Sequence, residues 1–370
     1  MTKKKILVTT DCYLPRWDGV ARFLSQLLPE IKEEFDITVI APAFEGKYQK
    51  IPGIKTIRLP VLPIRFGDIY FSFQTKNIAK YVAEADLIFN QTIGPIGKTA
   101  INEANKQAKP VISYVHSIEW ELASRAIRYL KWITEKLVLK RAQKLYNKCQ
   151  LIITPSQETE DILESHKIHT KKIIIELGIN PNKFAPPLSK KTAKKIIKIP
   201  EKYTIIGFAG RIGREKDLKT LTTAFLKINK QHKNVLLLIV GGGLLNEIPN
   251  HIKIIKTGPK DNILPYLQAM DIYVLPSLTE TTSLSTLEAM STGLAVIGTP
   301  VGIIRRYIKD SENGFIFPRG DVNVLTDRLD ELIRQPHLIQ KLGKEARKTI
   351  KQKAHWEETV RKIRKVLEKV

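Results

Sequence analysis

Two successive series of short apolar runs, each run set apart by a helix-length segment, limit most strongly what this chain can fold into. The first series reads ILVTT, ITVIAP, IKTIRLP, DLIFNQT, PVISYVH, LIITPS and KIIIEL. These runs are rich in Ile and Val, the mark of strands buried on both faces. Segments such as VARFLSQLLPEIKEEF lie between most of them. Strand, helix, strand in that order closes into a parallel, doubly wound sheet. GINPNKFAPPLSKK, rich in Pro, Asn and Lys, then reads as a linker. The alternation restarts with YTIIGFAG, NVLLLIVGGG, HIKIIKTG, DIYVLPS, LAVIGT and GFIFP. Helices are expected there at about 217–231, 282–292 and 322–334. The fold class is therefore α/β, with two Rossmann-like, doubly wound domains facing a central cleft. The expected boundaries are 1–178, 179–350, and a final amphipathic helix over 351–370 crossing back to the first domain. Ligands of such sheets bind beyond the carboxyl ends of the strands.

Length agrees, since 370 residues suit two domains better than one. No apolar run approaches the roughly 20 residues that span a bilayer. The N-terminus MTKKKILVTTDCY has lysines before apolar residues, but the apolar part ends too soon for a signal peptide. A cytoplasmic location follows as the expectation. Cys12 and Cys149 are too few for a disulfide framework or a zinc site. The formal charge of +24 calls for an anionic partner, an anionic surface, or only a lysine-rich source. Nucleic acid is not expected, because no RNP aromatic pattern, zinc finger or Gly-x-x-Gly clamp is present.

Four stretches carry residue types suited to chemistry. TTDCYLPRWDGVARF follows the first strand and puts Gly19 at a helix start, where backbone N–H groups can meet a phosphate. GFAGRIGREKDLKTL places Arg211 and Lys216 between a strand and a helix, with Asp217 as its N-cap. The pair reads either as a phosphate clamp or as a solvated charged turn. The glycines of VGGGLLNE read as a tight strand-to-loop turn in preference to a close approach to a ligand or another backbone. His116 ends a strand, placed for ligand contact or satisfied structurally. The last stretch, PSLTETTSLSTLEAMSTG, sets Glu280 just before a helix start at Thr281, Thr282 and Ser283, and Glu288 two turns further on. Two acids beside an anion site fit a ligand that carries hydroxyls as well as phosphates, such as a sugar nucleotide.

These motifs together resemble the nucleotide-sugar site of the retaining family 4 glycosyltransferases, which have the GT-B fold. The family's Glu-x7-Glu pattern is matched by Glu280 and Glu288, its Gly-Arg…Lys element by Arg211 and Lys216, and its N-terminal loop by TTDCYLPRWDGV. The resemblance covers nearly the whole chain. It implies that Arg211 and Lys216 hold a donor diphosphate and that Glu288 binds the ribose. It implies that Glu280 contacts the transferred sugar, and that His116 lies near that sugar. Backbone from Thr281 through Leu284, together with Gly19, would complete the phosphate site. Asp18 stands where the family has glycine or asparagine, and Thr281 and Ser283 stand where it commonly has glycines. The implied reaction moves a hexose from a UDP- or GDP-linked sugar, with that nucleotide sugar as co-substrate, no other cofactor and no metal. No Asp-x-Asp occurs.

Residues 119–148 read as one long helix with eight Lys/Arg against three Asp/Glu. Trp120, Arg125, Arg128, Lys131 and Trp132 on it, with Tyr13 and Trp17, are assigned to the acceptor and membrane side. PVLPIRFGDIYFSF adds apolar residues in an expected exposed loop. The expected acceptor is a lipid or lipid-linked molecule, reached from an anionic membrane surface at the inner face of the cell membrane. Three alternatives stand beside this: a soluble glycan or small-molecule acceptor, a GT-B nucleotide-sugar epimerase, and a non-enzymatic basic binding protein.

Overall fold

The computed structural model describes residues 3–16, 18–47, 50–62, 65–66, 69–70, 72, 75–127 and 129–370. The chain divides into two compact units, Met1–Glu176 with Glu358–Val370, and Leu177–Glu357.

The first unit is built on strands β1 (Lys4–Thr9), β2 (Phe35–Pro42), β3 (Lys55–Leu59), β6 (Leu87–Asn90), β7 (Val111–Tyr114), β8 (Leu151–Thr154) and β9 (Lys172–Ile174). A two-residue-per-strand antiparallel hairpin, β4 (Arg65–Phe66) and β5 (Ile69–Tyr70), interrupts the series and was not expected. It occupies part of the stretch read as an exposed apolar loop, six of whose fourteen residues lie outside the described residues. The seven longer strands form one sheet in the order β3-β2-β1-β6-β7-β8-β9, paired in parallel throughout. The order reverses between β1 and β6, which opens a crevice at their carboxyl ends. The helices are α1 (Gly19–Ile31), α2 (Ile78–Glu84), α3 (Pro95–Lys106), α4 (Glu119–Ala126), α5 (Lys131–Tyr146) and α6 (Gln157–Ser165). Most of α14 (Trp356–Lys369) also belongs to this unit.

The single helix expected over 119–148 is instead the pair α4 and α5. The chain leaves the helix at Ile127, which is extended, and Leu130 takes a left-handed φ of 56° before α5 begins. No Gly or Pro marks this break in IRYL.

The second unit contains α7 (Lys190–Ile196), β10 (Thr204–Ala209), α8 (Leu218–Gln231), β11 (Val235–Val240), β12 (Ile254–Lys256) and α9 (Leu264–Ala269). It continues through β13 (Ile272–Leu275), α10 (Leu284–Ser291), β14 (Ala295–Gly298), α11 (Ile304–Tyr307), β15 (Phe315–Ile316), α12 (Val322–Arg334) and α13 (Pro336–Lys353). Its parallel sheet has the order β12-β11-β10-β13-β14-β15 and reverses between β10 and β13. Strand β11 shows why the strands carry no polar alternation. Leu236, Leu238 and Val240 enter the core on one face, and Val235, Leu237 and Ile239 enter the core on the other. Every position is buried, so every position is apolar. Full burial of each such side chain contributes about 1.5–3 kcal/mol.

Candidate active site

In the second unit, the two loops that follow β10 and β13 carry most of the expected donor-site residues. After β10 the chain turns through Gly210 and Gly213 into a 3-10 turn, Arg214–Lys216, and then α8. Asp217 caps α8 as expected, its carboxylate accepting from the Thr220 N–H. The Arg211 guanidinium pairs with the carboxylate of Glu215, whose side chain is fully buried. Glu215 was not foreseen, although its spacing of four from Arg211 was legible. Lys216 Nζ sits 2.5 Å from Glu280 Oε1, and Ser277 Oγ donates to the same oxygen at 2.8 Å. The Leu278 N–H donates to the Glu215 carbonyl at 2.8 Å. Two polar contacts, Lys216 to Glu280 and Leu278 to Glu215, thus tie the β10 loop to the β13 loop, and Ser277 braces Glu280 from within the second.

The segment between β13 and α10 is held from behind. A Cβ on Gly302 would lie 2.4 Å from the Thr281 carbonyl oxygen, so only glycine lets that chain approach, and the Ile303 N–H donates to the same oxygen at 3.0 Å. Helix α10 begins at Leu284, three residues later than expected, because Ser283 takes a left-handed φ of 52° as its N-cap. A non-glycine residue there costs on the order of 1 kcal/mol, and the Ser283 hydroxyl bonds the Thr286 hydroxyl at 2.8 Å. Thr281 and Thr282 are buried before it, and Glu288 is buried on α10. Beneath α10, the Tyr273 hydroxyl bonds the Ser285 hydroxyl at 2.9 Å. The glycines of VGGGLLNE serve packing. A Cβ on Gly241 would lie 1.8 Å from the Gly210 carbonyl oxygen, and one on Gly243 would lie 2.3 Å from that of Ile212.

In the first unit, His116 lies just past the end of β7. Its ring stacks on Tyr114 at 4.4 Å and tilts against Phe23 of α1 at 4.9 Å. Its Nε2 is 2.9 Å from Gln91 Oε1. Burial pushes its pKa down to about 3, so the ring is neutral near pH 7. Gly19 opens α1, and a Cβ there meets no atom of the described residues within 4 Å. Asp18 caps α1, accepting from the Ala21 N–H at 2.9 Å. Asp11, another residue not singled out from sequence, is buried and accepts from the Ile96 N–H at 2.9 Å and from Thr92 Oγ1 at 2.7 Å. It thereby anchors the start of α3 to the end of β1.

The acceptor-side residues divide. Trp120 is a correction. It is 1% exposed, packed in the core with its ring 5.0 Å from that of His166, and presents nothing to a membrane. Tyr13 is also corrected, since it is buried with the Arg58 guanidinium 4.9 Å above its ring. Trp17 and Arg128 lie outside the described residues. Arg125 pairs with Glu121 at 3.5 Å, while Lys131 is exposed. Trp132 is 64% exposed and is joined by Tyr129 at 80%, Leu130 at 66% and Leu137 at 63%. Lys136 covers the Trp132 ring at 5.3 Å. The exposed apolar surface therefore sits where α4 turns into α5.

Residues 17–183 match the family model described as Glycosyltransferase Family 4, and residues 189–349 match that of the group 1 glycosyl transferases. The chain belongs to the family 4 glycosyltransferases. Among relatives of this glycosyltransferase is the alpha-monoglucosyldiacylglycerol synthase of Streptococcus pneumoniae, 26% identical over 90% of this chain and 79% of the relative. Among solved structures, the sucrose-phosphate synthase of Thermosynechococcus elongatus superposes with a TM-score of 0.81 over 99% of both chains at 19% identity. HepE of Anabaena, solved in complex with UDP and glucose, gives a TM-score of 0.78 over 99% of this chain and 100% of its own, at 16% identity. The shared fold is GT-B, with two Rossmann-like domains. No described helix of the glycosyltransferase is long and apolar enough to cross a membrane.

Proposed function

We propose that this glycosyltransferase moves a hexose from a UDP- or GDP-linked sugar to a lipid or lipid-linked acceptor at an anionic membrane surface, retaining the anomeric configuration. The observation that carries this reading is the pairing of Lys216 with Glu280 across the loops after β10 and β13. A cation and a carboxylate in contact match a ligand with an anionic leaving group next to a hydroxylated sugar. On donor arrival Lys216 and Arg211 turn part of their charge to the diphosphate, and Glu280 accepts from the sugar hydroxyls. Glu288 accepts from the ribose. As the glycosidic bond breaks, negative charge grows on the diphosphate, and two fixed cations stabilise it without a metal. The sugar becomes oxocarbenium-like, and His116, which the family resemblance implies near it, is neutral and adds no opposing charge. Retention, by front-side attack without an enzyme nucleophile, is what the family resemblance implies.

The lipid acceptor draws support from the diacylglycerol named for the streptococcal relative. It also draws on the exposed Tyr129, Leu130 and Trp132 among lysines, a composition suited to a membrane interface. The test supplies UDP-glucose, or in turn the GDP- and other UDP-sugars, with diacylglycerol in mixed vesicles. Nucleotide release is followed together with glycolipid. Release that depends on the lipid supports the reading. Release only with a soluble glycan moves the acceptor, and no release with any donor overturns it.

A further inference from the structure

The candidate mechanism uses His116 but leaves open what sets that ring's tautomer and direction. Gln91 follows β6, between the carboxyl ends of β1 and β7. It is 1% exposed, and its own N–H donates to the Thr9 carbonyl at 2.9 Å, so its backbone is fixed to β1. Beside it, Thr9 Oγ1 donates to Asn90 Oδ1 and Asn90 Nδ2 donates to Ser113 Oγ, each at 3.0 Å and each fully buried. This polar ladder joins β1, β6 and β7 at the level where His116 emerges. The Gln91 amide has one sense only. Its Nε2 donates to the Phe89 carbonyl at 3.3 Å, and turning it over would set two acceptor oxygens against each other. Its Oε1 therefore faces His116 Nε2 at 2.9 Å. An amide oxygen only accepts, so Nε2 must carry the proton and Nδ1 the lone pair.

We propose that Gln91 is a positioning residue that holds His116 as the Nε2–H tautomer and fixes the direction of its ring. Tyr114 stacks on one face of the ring at 4.4 Å, Phe23 tilts against both rings at 4.9 and 5.1 Å, and Gln91 fixes the remaining rotation in the ring plane. Tyr114 is the titratable group on that face. Its hydroxyl donates to the Ile175 carbonyl at 2.7 Å, and burial pushes its pKa well up, so it stays neutral. The role rests on the function proposed above only in so far as His116 acts in transfer; the tautomer itself does not depend on it.

Two readouts separate these. In protein labelled with nitrogen-15 at histidine, the ring correlations of His116, assigned by comparison with His116→Gln, should give the Nε2–H pattern. In Gln91→Leu that pattern should be lost. A wild-type ring found as the Nδ1–H tautomer, or a pattern unchanged in Gln91→Leu, overturns the proposal whatever the enzyme's reaction. The second readout is the pH profile of kcat/KM with UDP-glucose and diacylglycerol vesicles. Gln91→Glu sets a carboxylate against the Nε2–H and favours the charged ring. Activity should then fall with decreasing pH between roughly pH 8 and 6, a limb absent from wild type. Gln91→Leu should lower kcat about tenfold, the worth of one hydrogen bond, with the donor KM little changed. Neither change should alter activity in the His116→Gln background. A Gln91→Glu profile that overlays wild type, or effects that persist without His116, overturns the role in transfer.

Discussion

Lys216 and Glu280 stand 64 positions apart in sequence and 2.5 Å apart in space, the one closing the loop after β10 and the other the loop after β13. Each is the other's charge partner. Their spacing along the chain is what a parallel sheet with a topological reversal between β10 and β13 produces, since the two loops then leave adjacent strands.

Arg211 and Lys216 should therefore fail differently. Either alanine variant is expected to lose about 2–4 kcal/mol of transition-state stabilisation, read from kcat/KM. Arg211→Ala should also lower the melting temperature, because it strips the partner from a buried Glu215, a loss of about 3–5 kcal/mol in such settings. Lys216→Ala should lower it less, because Glu280 keeps Ser277 as a donor. Combining Arg211→Ala with Glu215→Gln should restore stability and leave activity low. Turnover within threefold of wild type in both single variants would refute the clamp.

Glu280 and Glu288 should separate kinetically. A ribose contact persists from the ground state to the transition state, so Glu288→Gln should weaken donor binding with a smaller change in kcat. Glu280→Gln should depress kcat more, because charge develops on the sugar it touches. Indistinguishable kinetic profiles for the two variants would count against these roles.

Glu119 supplies a pH prediction. It opens α4, accepts a hydrogen bond from the Tyr146 hydroxyl of α5, and has its pKa pushed up to about 7 by burial. The folded pKa lies above the ordinary value of 4.5, so the folded protein holds the extra proton between about pH 4.5 and 7. Its contribution to stability is full below that window and declines as pH rises through it. Glu119→Gln should therefore raise the melting temperature at pH 8 relative to wild type and change it little at pH 4.5. Equal effects at both pH values would show that Glu119 does not titrate in this window.

Membrane binding should depend on the turn between α4 and α5. Each lysine or arginine near an anionic surface is worth about 1 kcal/mol. Sedimentation with phosphatidylglycerol vesicles should show binding that weakens with salt, with Lys131→Glu and Lys136→Glu, and with Trp132→Ala. Trp120→Phe, in the core, should leave it unchanged. Binding by the Lys131→Glu, Lys136→Glu and Trp132→Ala variants equal to wild type would remove this surface from the acceptor reading.

A chelator should leave activity intact if Arg211 and Lys216 meet the leaving group as proposed, and no Asp-x-Asp occurs in the sequence. Loss with EDTA and recovery with Mg²⁺ or Mn²⁺ would reverse that expectation.

The strands were legible because burial on both faces removes polar alternation. All thirteen apolar runs became strands of the two parallel sheets. The break between α4 and α5 was not legible, because Leu130 adopts a left-handed backbone with no glycine to signal it. Reading 119–148 as one basic helix also put Trp120 and Trp132 together on the membrane side, although one is buried and the other exposed. Periodicity reports which residues share a face, not which face meets the core. Glu215 and Gln91 were missed for a different reason. Each acts by holding another residue, and such partners are set by loop geometry that one sequence does not carry.

The last helix has a consequence for how the protein is made. The second unit is one continuous segment, Leu177–Glu357, whereas the first needs both Met1–Glu176 and Glu358–Val370. Ile363 and Leu367 of α14 are fully buried, and its residues bond back into the first unit: Thr359 to the Glu176 carbonyl, Arg364 to that of Glu30, and Lys4 to that of Leu367. On the ribosome the part synthesised first is therefore completed last. A chain that stops short of α14 leaves an apolar face of the first unit uncovered, while every strand and every donor-site residue of the second unit is already present.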